Sequence, residues 1–176
     1  MREWIEDAVR GDRTAWEHIV RRYVGMALAV ARERLRDAHL AEDAVQESFA
    51  QAFASLPGLR EPDAFPGWFK AIVARQCHRM LRRKRLRTVP IEAAEQVAEQ
   101  AAGVAALAES NEMRRMLQAS VAGLPPNLRV AVQLYYFQGY SLREISDFLG
   151  TPAPALKKRL QDARLKLKSA LPIADV

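Results

Sequence analysis

The sequence predicts an all-α protein of two small helical domains joined by a linker, the C-terminal domain a helix-turn-helix. Three observations carry this. Apolar residues recur at three- and four-residue steps through segment after segment, the spacing of one helix face. An acidic, Ala-rich stretch separates two basic regions. Residues Ser141 to Leu171 read as two helices at a tight turn, the second dense in cations. The boundaries fall at 1–87 for the first domain, 88–110 for the linker and 111–176 for the second domain.

The first two helices lie within 2–35. Trp4, Ile5, Ala8 and Val9 mark one, and Trp16, Ile19, Val20 and the run Tyr23 to Val30 mark the other. Gly11-Asp12 breaks the pattern, so the second helix starts near Asp12 or Thr14. Trp4 and Trp16 are expected in the core. Asp37 offers a cap for a third helix, Ala38 to Leu56, with Val45, Phe49, Ala52, Phe53 and Leu56 inward. Its outer face carries Asp43, Gln46 and Glu47, with Glu42 at the edge. That face is either a solvated acidic surface or a docking surface for a basic partner helix.

Leu56 to Pro66 holds three prolines and a glycine and reads as a stiff loop. Asp63 can cap the next helix, which runs to about Arg87. Phe65, Trp68, Phe69, Ile72, Val73, Cys77 and Met80 form its apolar stripe. Outward lie Ala71, Ala74, Arg75, His78, Arg82 and Arg85, a basic ridge suited to a phosphate backbone. The aromatic residues at its start are core residues or a platform for unstacked bases, with core favoured for Trp68.

Thr88 to about Glu109 is acidic, Ala-rich and interrupted by Pro90 and Gly103, a linker with some helical tendency. Asn111 to Ala122 returns to an amphipathic helix with Met113, Met116, Leu117 and Val121 inward. After Leu124-Pro125-Pro126-Asn127, a helix over Leu128 to Gln138 has Val130, Ala131, Leu134, Tyr135 and Phe137 as core candidates, and Gly139 closes it.

Ser141 and Glu144 have the S-x-x-E spacing of a capping box, so the first helix of the helix-turn-helix starts at Leu142. Gly150 ends it. Thr151 can cap the next helix, with Pro152 at its first position. Leu156, Leu160, Ala163 and Leu167 then form a buried stripe. The opposite side shows Pro154, Lys158, Gln161, Asp162 and Leu165, flanked by Lys157, Arg159 and Arg164. Lys and Gln can bond base edges, and the flanking cations suit phosphates.

Charge supports an acidic partner. The net charge is +6, and it is unevenly spread: 61–91 holds 8 basic and 2 acidic side chains, 92–112 holds 0 and 5, and 113–176 holds 10 and 4. Two separated basic patches suit two contacts along one duplex. Cys77 is the single cysteine, so no intramolecular disulfide forms, as suits a reducing cytoplasm. The N-terminus lacks an apolar signal region, and no run of about 18 apolar residues occurs, so a soluble cytoplasmic protein without membrane insertion is expected. There is no cluster of His and Cys with metal-ligand spacing, no Gly-rich phosphate loop and no nucleophile–base pair. Neither an enzyme nor a metal or cofactor protein is indicated.

The order of these parts resembles the extracytoplasmic-function (ECF) group of bacterial RNA polymerase sigma factors over nearly the whole chain. AEDAVQESFAQAF (41–53) is similar to the helix by which that family grips core RNA polymerase. FPGWFKAIVARQCHRMLRRKR (65–85) is similar to the helix that opens the minus-ten element. LPPNLRVAVQLYYFQGYSLREISDFLG (124–150) with LKKRLQDARLKL is similar to the region that reads the minus-thirty-five element. The resemblance implies a core polymerase contact at Asp43, Gln46 and Glu47. It implies a flipped nontemplate base held by the 57–64 loop, and minus-ten DNA along Arg75, His78, Arg79, Arg82 and Arg85. It places Lys157, Lys158, Arg159, Gln161 and Arg164 at upstream promoter DNA. It also implies an anti-sigma protein as a regulatory partner, and a linker near the polymerase's RNA exit path.

Two departures stand out. Arg75 and Arg79 occupy positions where the family usually has Asn and Asp. Ala153-Pro154-Ala155-Leu156 replaces a common V-G-T-V, removing a hydroxyl and a glycine from the groove-entering end. The other reading that the residues permit is a stand-alone helix-turn-helix regulator, acting without polymerase.

Overall fold

The computed structural model describes residues 1–87 and 108–170, and every regular element among them is helical. The chain divides into two compact units. The first carries helices α1 (Arg2–Val9), α2 (Arg13–Leu35), α3 (Ala38–Ser55) and α4 (Phe65–Arg87). The second carries α5 (Ala108–Ala122), α6 (Pro126–Val132), the start of α7 (Leu142–Leu149) and α8 (Ala153–Ala170). The predicted linker lies mostly outside the described residues.

Local chemistry sets the ends of the first helices. At Gly11 the backbone takes φ +96°, a region that glycine enters freely, which turns the chain between α1 and α2. Asp12 caps α2 by accepting from the N–H groups of Thr14 at 2.8 Å and Ala15 at 3.3 Å. Asp37 caps α3 through the Leu40 N–H at 3.1 Å.

The core of the first unit forms where α2, α3 and α4 pack on one another, with α1 laid on α2. Ile19, Met26, Ala27, Val45, Val73 and Cys77 are buried there. Aromatic rings fill the centre. Phe65 and Phe69 are fully buried, Tyr23 meets Phe65 edge-on at 5.1 Å, and Phe49 lies 4.5 Å from Phe69. Trp16 is half-buried against Phe49 and Phe53.

Two expectations about this core need correction. Phe53 is 49% exposed, because Val45, Ala52 and Leu56 fill the inward side of α3 and leave its ring at the edge, against Trp16 at 5.2 Å. Trp4 is exposed too, with its indole stacked on the His18 ring at 4.9 Å.

In the second unit Val121, Leu124, Leu128, Ala131, Val132, Leu160 and Ala163 form one cluster, with Leu117, Leu142 and Leu167 packed against it. Here too the sequence reading is corrected. Beyond Val132 the α-helix gives way to a π turn over Gln133–Phe137, closed by the Gln138 N–H on the Gln133 carbonyl at 3.1 Å. The wider turn rotates later side chains off the helical stripe. Leu134 stays buried, whereas Tyr135 and Phe137 face solvent, the latter 57% exposed. Gly139, at φ +70°, then reverses the chain.

Candidate nucleic-acid interface

On α3 the small buried residues Ala41, Ala44, Val45, Ser48 and Ala52 press one side into the core. The opposite side is thereby turned outward, and Asp43, Gln46 and Glu47 are all exposed on it. The cap that starts this helix is electrostatically favourable as well. The Leu40 N–H, and after it Lys84 at 3.4 Å, hold the Asp37 carboxyl below the usual range.

On α4 the buried line is Phe65, Phe69, Ile72, Val73 and Cys77. Gln76 is buried beside it, its side-chain N–H donating to the side-chain amide oxygen (Oε1) of Gln51 at 2.6 Å. Outward, Arg75, His78 and Arg82 of the predicted ridge are exposed, as is Arg79, which the family resemblance added to it. Arg85 continues the helix, but its side chain is not among those described. Burial pushes the Cys77 thiol up, away from the reactive thiolate. Among the described residues no group of His, Cys, Asp and Glu is placed to hold a metal ion.

The structure adds relations that a linear reading does not contain. Glu47 and Arg79 form an ion pair at 3.1 Å, so the acidic face of α3 and the basic ridge of α4 meet. Beside this pair runs an open groove of about 460 Å³ lined by Asp43, Gln46, Glu47, Ala50, Met80 and Arg83. Met80 and Arg83 were not singled out with the acidic face; only the packing of α4 along α3 brings them there.

Between these helices, two 3₁₀ turns at Leu56–Gly58 and Pro62–Ala64 shape the Pro-rich loop. Leu56 is buried and anchors it, while Pro57, Gly58, Arg60 and Glu61 are exposed. Asp63 was expected to cap α4. Instead its carboxylate pairs with the Arg2 guanidinium of α1 at 2.9 Å.

The capping box of α7 is formed as predicted. Glu144 accepts from the Ser141 N–H at 2.9 Å, and the Ser141 hydroxyl accepts from the Glu144 N–H at 3.3 Å. Gly150 turns the chain at φ +62°. The start of α8 differs from expectation by one residue. The Pro152 carbonyl accepts the Leu156 N–H at 3.1 Å, which makes Pro152 the cap residue and moves Thr151 outside the helix. Thr151 instead receives a 3.5 Å hydrogen bond from Arg159.

Leu156, Leu160 and Ala163 are buried, and Lys157, Lys158, Gln161 and Arg164 are exposed on α8, as the periodicity predicted. Arg159 is only half-exposed, its guanidinium held toward Thr151. The face offers cations for phosphates and a Lys and Gln for base edges, with Pro154 exposed in its first turn. No described helix is long and apolar enough to cross a membrane.

Comparison with known proteins places these elements. Sigma-70 region 2 matches residues 19–87, and Sigma-70, region 4 matches residues 114–167. The chain is 30% identical over 170 residues to the ECF RNA polymerase sigma factor SigM of Mycobacterium tuberculosis, covering 96% of this chain and 83% of that protein. Of two other sigma-factor relatives it spans only 43% and 64% of the length. The fold is shared with CnrH, solved in complex with the cytosolic domain of CnrY, at a TM-score of 0.61 and 24% identity over 99% of this chain and 98% of that one. It is also shared with the sigma factor RpoE of Bartonella quintana, solved with the anti-sigma factor NepR, at a TM-score of 0.57 and 16% identity over 90% and 98%. With both region matches in order and a relative of this likeness along almost its whole length, the chain belongs to the ECF RNA polymerase sigma factors.

Proposed function

We propose that this chain binds core RNA polymerase and directs it to promoters, supplying recognition and duplex opening while the polymerase supplies the chemistry. Its first domain, 1–87, docks on polymerase through Asp43, Gln46 and Glu47 of α3. It engages the minus-ten element through the 57–64 loop and Arg75, His78, Arg79, Arg82 and Arg85. The second domain, 111–176, reads the minus-thirty-five element with Lys157, Lys158, Arg159, Gln161 and Arg164. An anti-sigma protein, of the kind bound to RpoE in the similar structure, is its regulatory partner.

The observation that carries this reading is the exposed acidic face of α3 set directly against the basic ridge of α4. A stand-alone helix-turn-helix regulator needs the cations of α8, but it has no use for a second, mixed-charge surface on another domain. Melting needs binding energy to offset unstacking of a few kcal/mol per step, which one recognition helix does not provide. Run-off transcription with purified core polymerase tests the proposal: initiation from a selected promoter should require this chain. No initiation above core alone, together with tight binding to a palindromic site without polymerase, would instead identify a free-standing regulator.

A further inference from the structure

Helix α1 lies against both 3₁₀ turns of the 57–64 loop. It is anchored from below, since Ile5 and Ala8 are buried. At its outer end Arg2 reaches two carboxylates. Its Nε donates to Glu6 one turn along the same helix, and its Nη1 donates to Asp63 in the second 3₁₀ turn, both at 2.9 Å. Glu61 adds a third negative charge nearby, and all three carboxylates push the guanidinium further toward its charged form.

The loop's own bonds do a different job. The Leu59 N–H on the Leu56 carbonyl at 2.9 Å and the Ala64 N–H on the Glu61 carbonyl at 3.0 Å fix each turn internally. Arg2 instead ties the second turn to a separate helix. Pro57 and Pro62 restrict the backbone on either side of Arg60 and Glu61, so little conformational freedom is left within either turn. Fixing Asp63 therefore fixes where the exposed middle of the loop stands.

We infer that Arg2 is a positioning residue for promoter-base selection, holding Asp63 and so setting the pose in which the 57–64 loop receives a flipped nontemplate base. The inference rests on the proposed role of that loop. Arg2 is 55% exposed and Asp63 73% exposed, so their pair adds little to folding stability. Its consequence is geometric, because a base pocket works only when its walls are held to a fraction of an ångström.

The test uses holoenzyme assembled from the full chain and core polymerase, on a promoter library randomised across the minus-ten element. Arg2→Ala should flatten the base preference by roughly threefold to fivefold, the scale of one exposed ion pair. Initiation on promoters that lack the preferred minus-ten base should stay at the wild-type level, and Arg2→Lys should restore most of the preference. Asp63→Asn breaks the same pair from the loop side and should give the same flattened profile, which covers the case of a poorly folding Arg2 variant. Arg60→Ala with Glu61→Ala separates the two levels of the argument. A changed profile there, beside wild-type profiles for Arg2→Ala and Asp63→Asn, overturns the positioning role alone. An unchanged profile in all of them overturns the loop assignment, and the inference with it.

Discussion

Reversing the charge at Glu47 tests the docking assignment directly. Its side chain is 58% exposed on α3, with the Arg79 guanidinium 3.1 Å away. Glu47→Lys removes an exposed ion pair worth at most about 1 kcal/mol. It also brings two cations together, whose repulsion in water-like surroundings is about 1 kcal/mol at such distances. Ala44, Val45 and Ser48 behind it stay buried, so the fold should lose no more than about 1–2 kcal/mol. Binding to the proposed basic partner helix of the polymerase should be affected more strongly. Close charge pairs across interfaces couple by about 1.5 kcal/mol or more, so turning attraction into repulsion should cost roughly 3 kcal/mol. That is about two orders of magnitude in Kd. Titration of fluorescently labelled protein with core polymerase reads the affinity, and thermal unfolding reads the fold. A variant that unfolds near the wild-type temperature and binds core within threefold of wild type would refute the assignment.

Two stability predictions follow from the caps. Ser141→Ala removes the hydroxyl that accepts the Glu144 N–H and donates to the Glu144 carboxylate at 2.8 Å, so the second domain should lose about 1 kcal/mol, while Ser141→Thr, which keeps both bonds, retains most of it. Differential scanning calorimetry of the two variants checks this. For Asp37 the folded pKa is lowered, so its stabilising charge is fully present above the unfolded value of about 3.9 and is lost as pH falls through the folded pKa. Asp37→Asn keeps a capping oxygen but no charge. Its stability deficit at neutral pH should vanish in acid, and a deficit that does not change with pH would contradict the linkage.

How far the sequence was legible depended on whether one helix or two had to be known. The Asp37 cap, the Ser141/Glu144 box and the α8 stripe are set within one or two turns of chain, and all were readable, while the start of α2 was read only to Asp12 or Thr14 and proves to be capped by Asp12. Phe53 was not, because its exposure is decided by the competition of Val45, Ala52 and Leu56 for the same side. Tyr135 and Phe137 were misread because periodicity assumes 3.6 residues per turn, and the π turn departs from it without a glycine or proline to announce it. At Thr151 a strong capping residue was present, but the helix began one residue later than it would allow. The ion pairs of Arg2 with Asp63 and of Glu47 with Arg79 join residues 61 and 32 apart, so no local pattern could signal them.

The Glu47–Arg79 pair bears on how the two proposed contacts of the first domain communicate. Glu47 is assigned to polymerase and Arg79 to DNA, yet in the free protein each occupies the other. A basic partner arriving at Glu47 competes with Arg79 for the carboxylate, and a phosphate arriving at Arg79 competes with Glu47 for the guanidinium. Whichever binds first removes a counter-ion that the second would otherwise displace, and thermodynamic linkage makes the benefit equal in both directions. An exposed pair limits this coupling to about 1 kcal/mol, or about fivefold. The sign is what distinguishes it. Arg79→Ala should bind core polymerase in the absence of DNA slightly more tightly than wild type, while its holoenzyme binds the promoter more weakly. If the variant weakens core binding as well, Arg79 supports the docking face rather than masking it, and the competition for Glu47 does not operate.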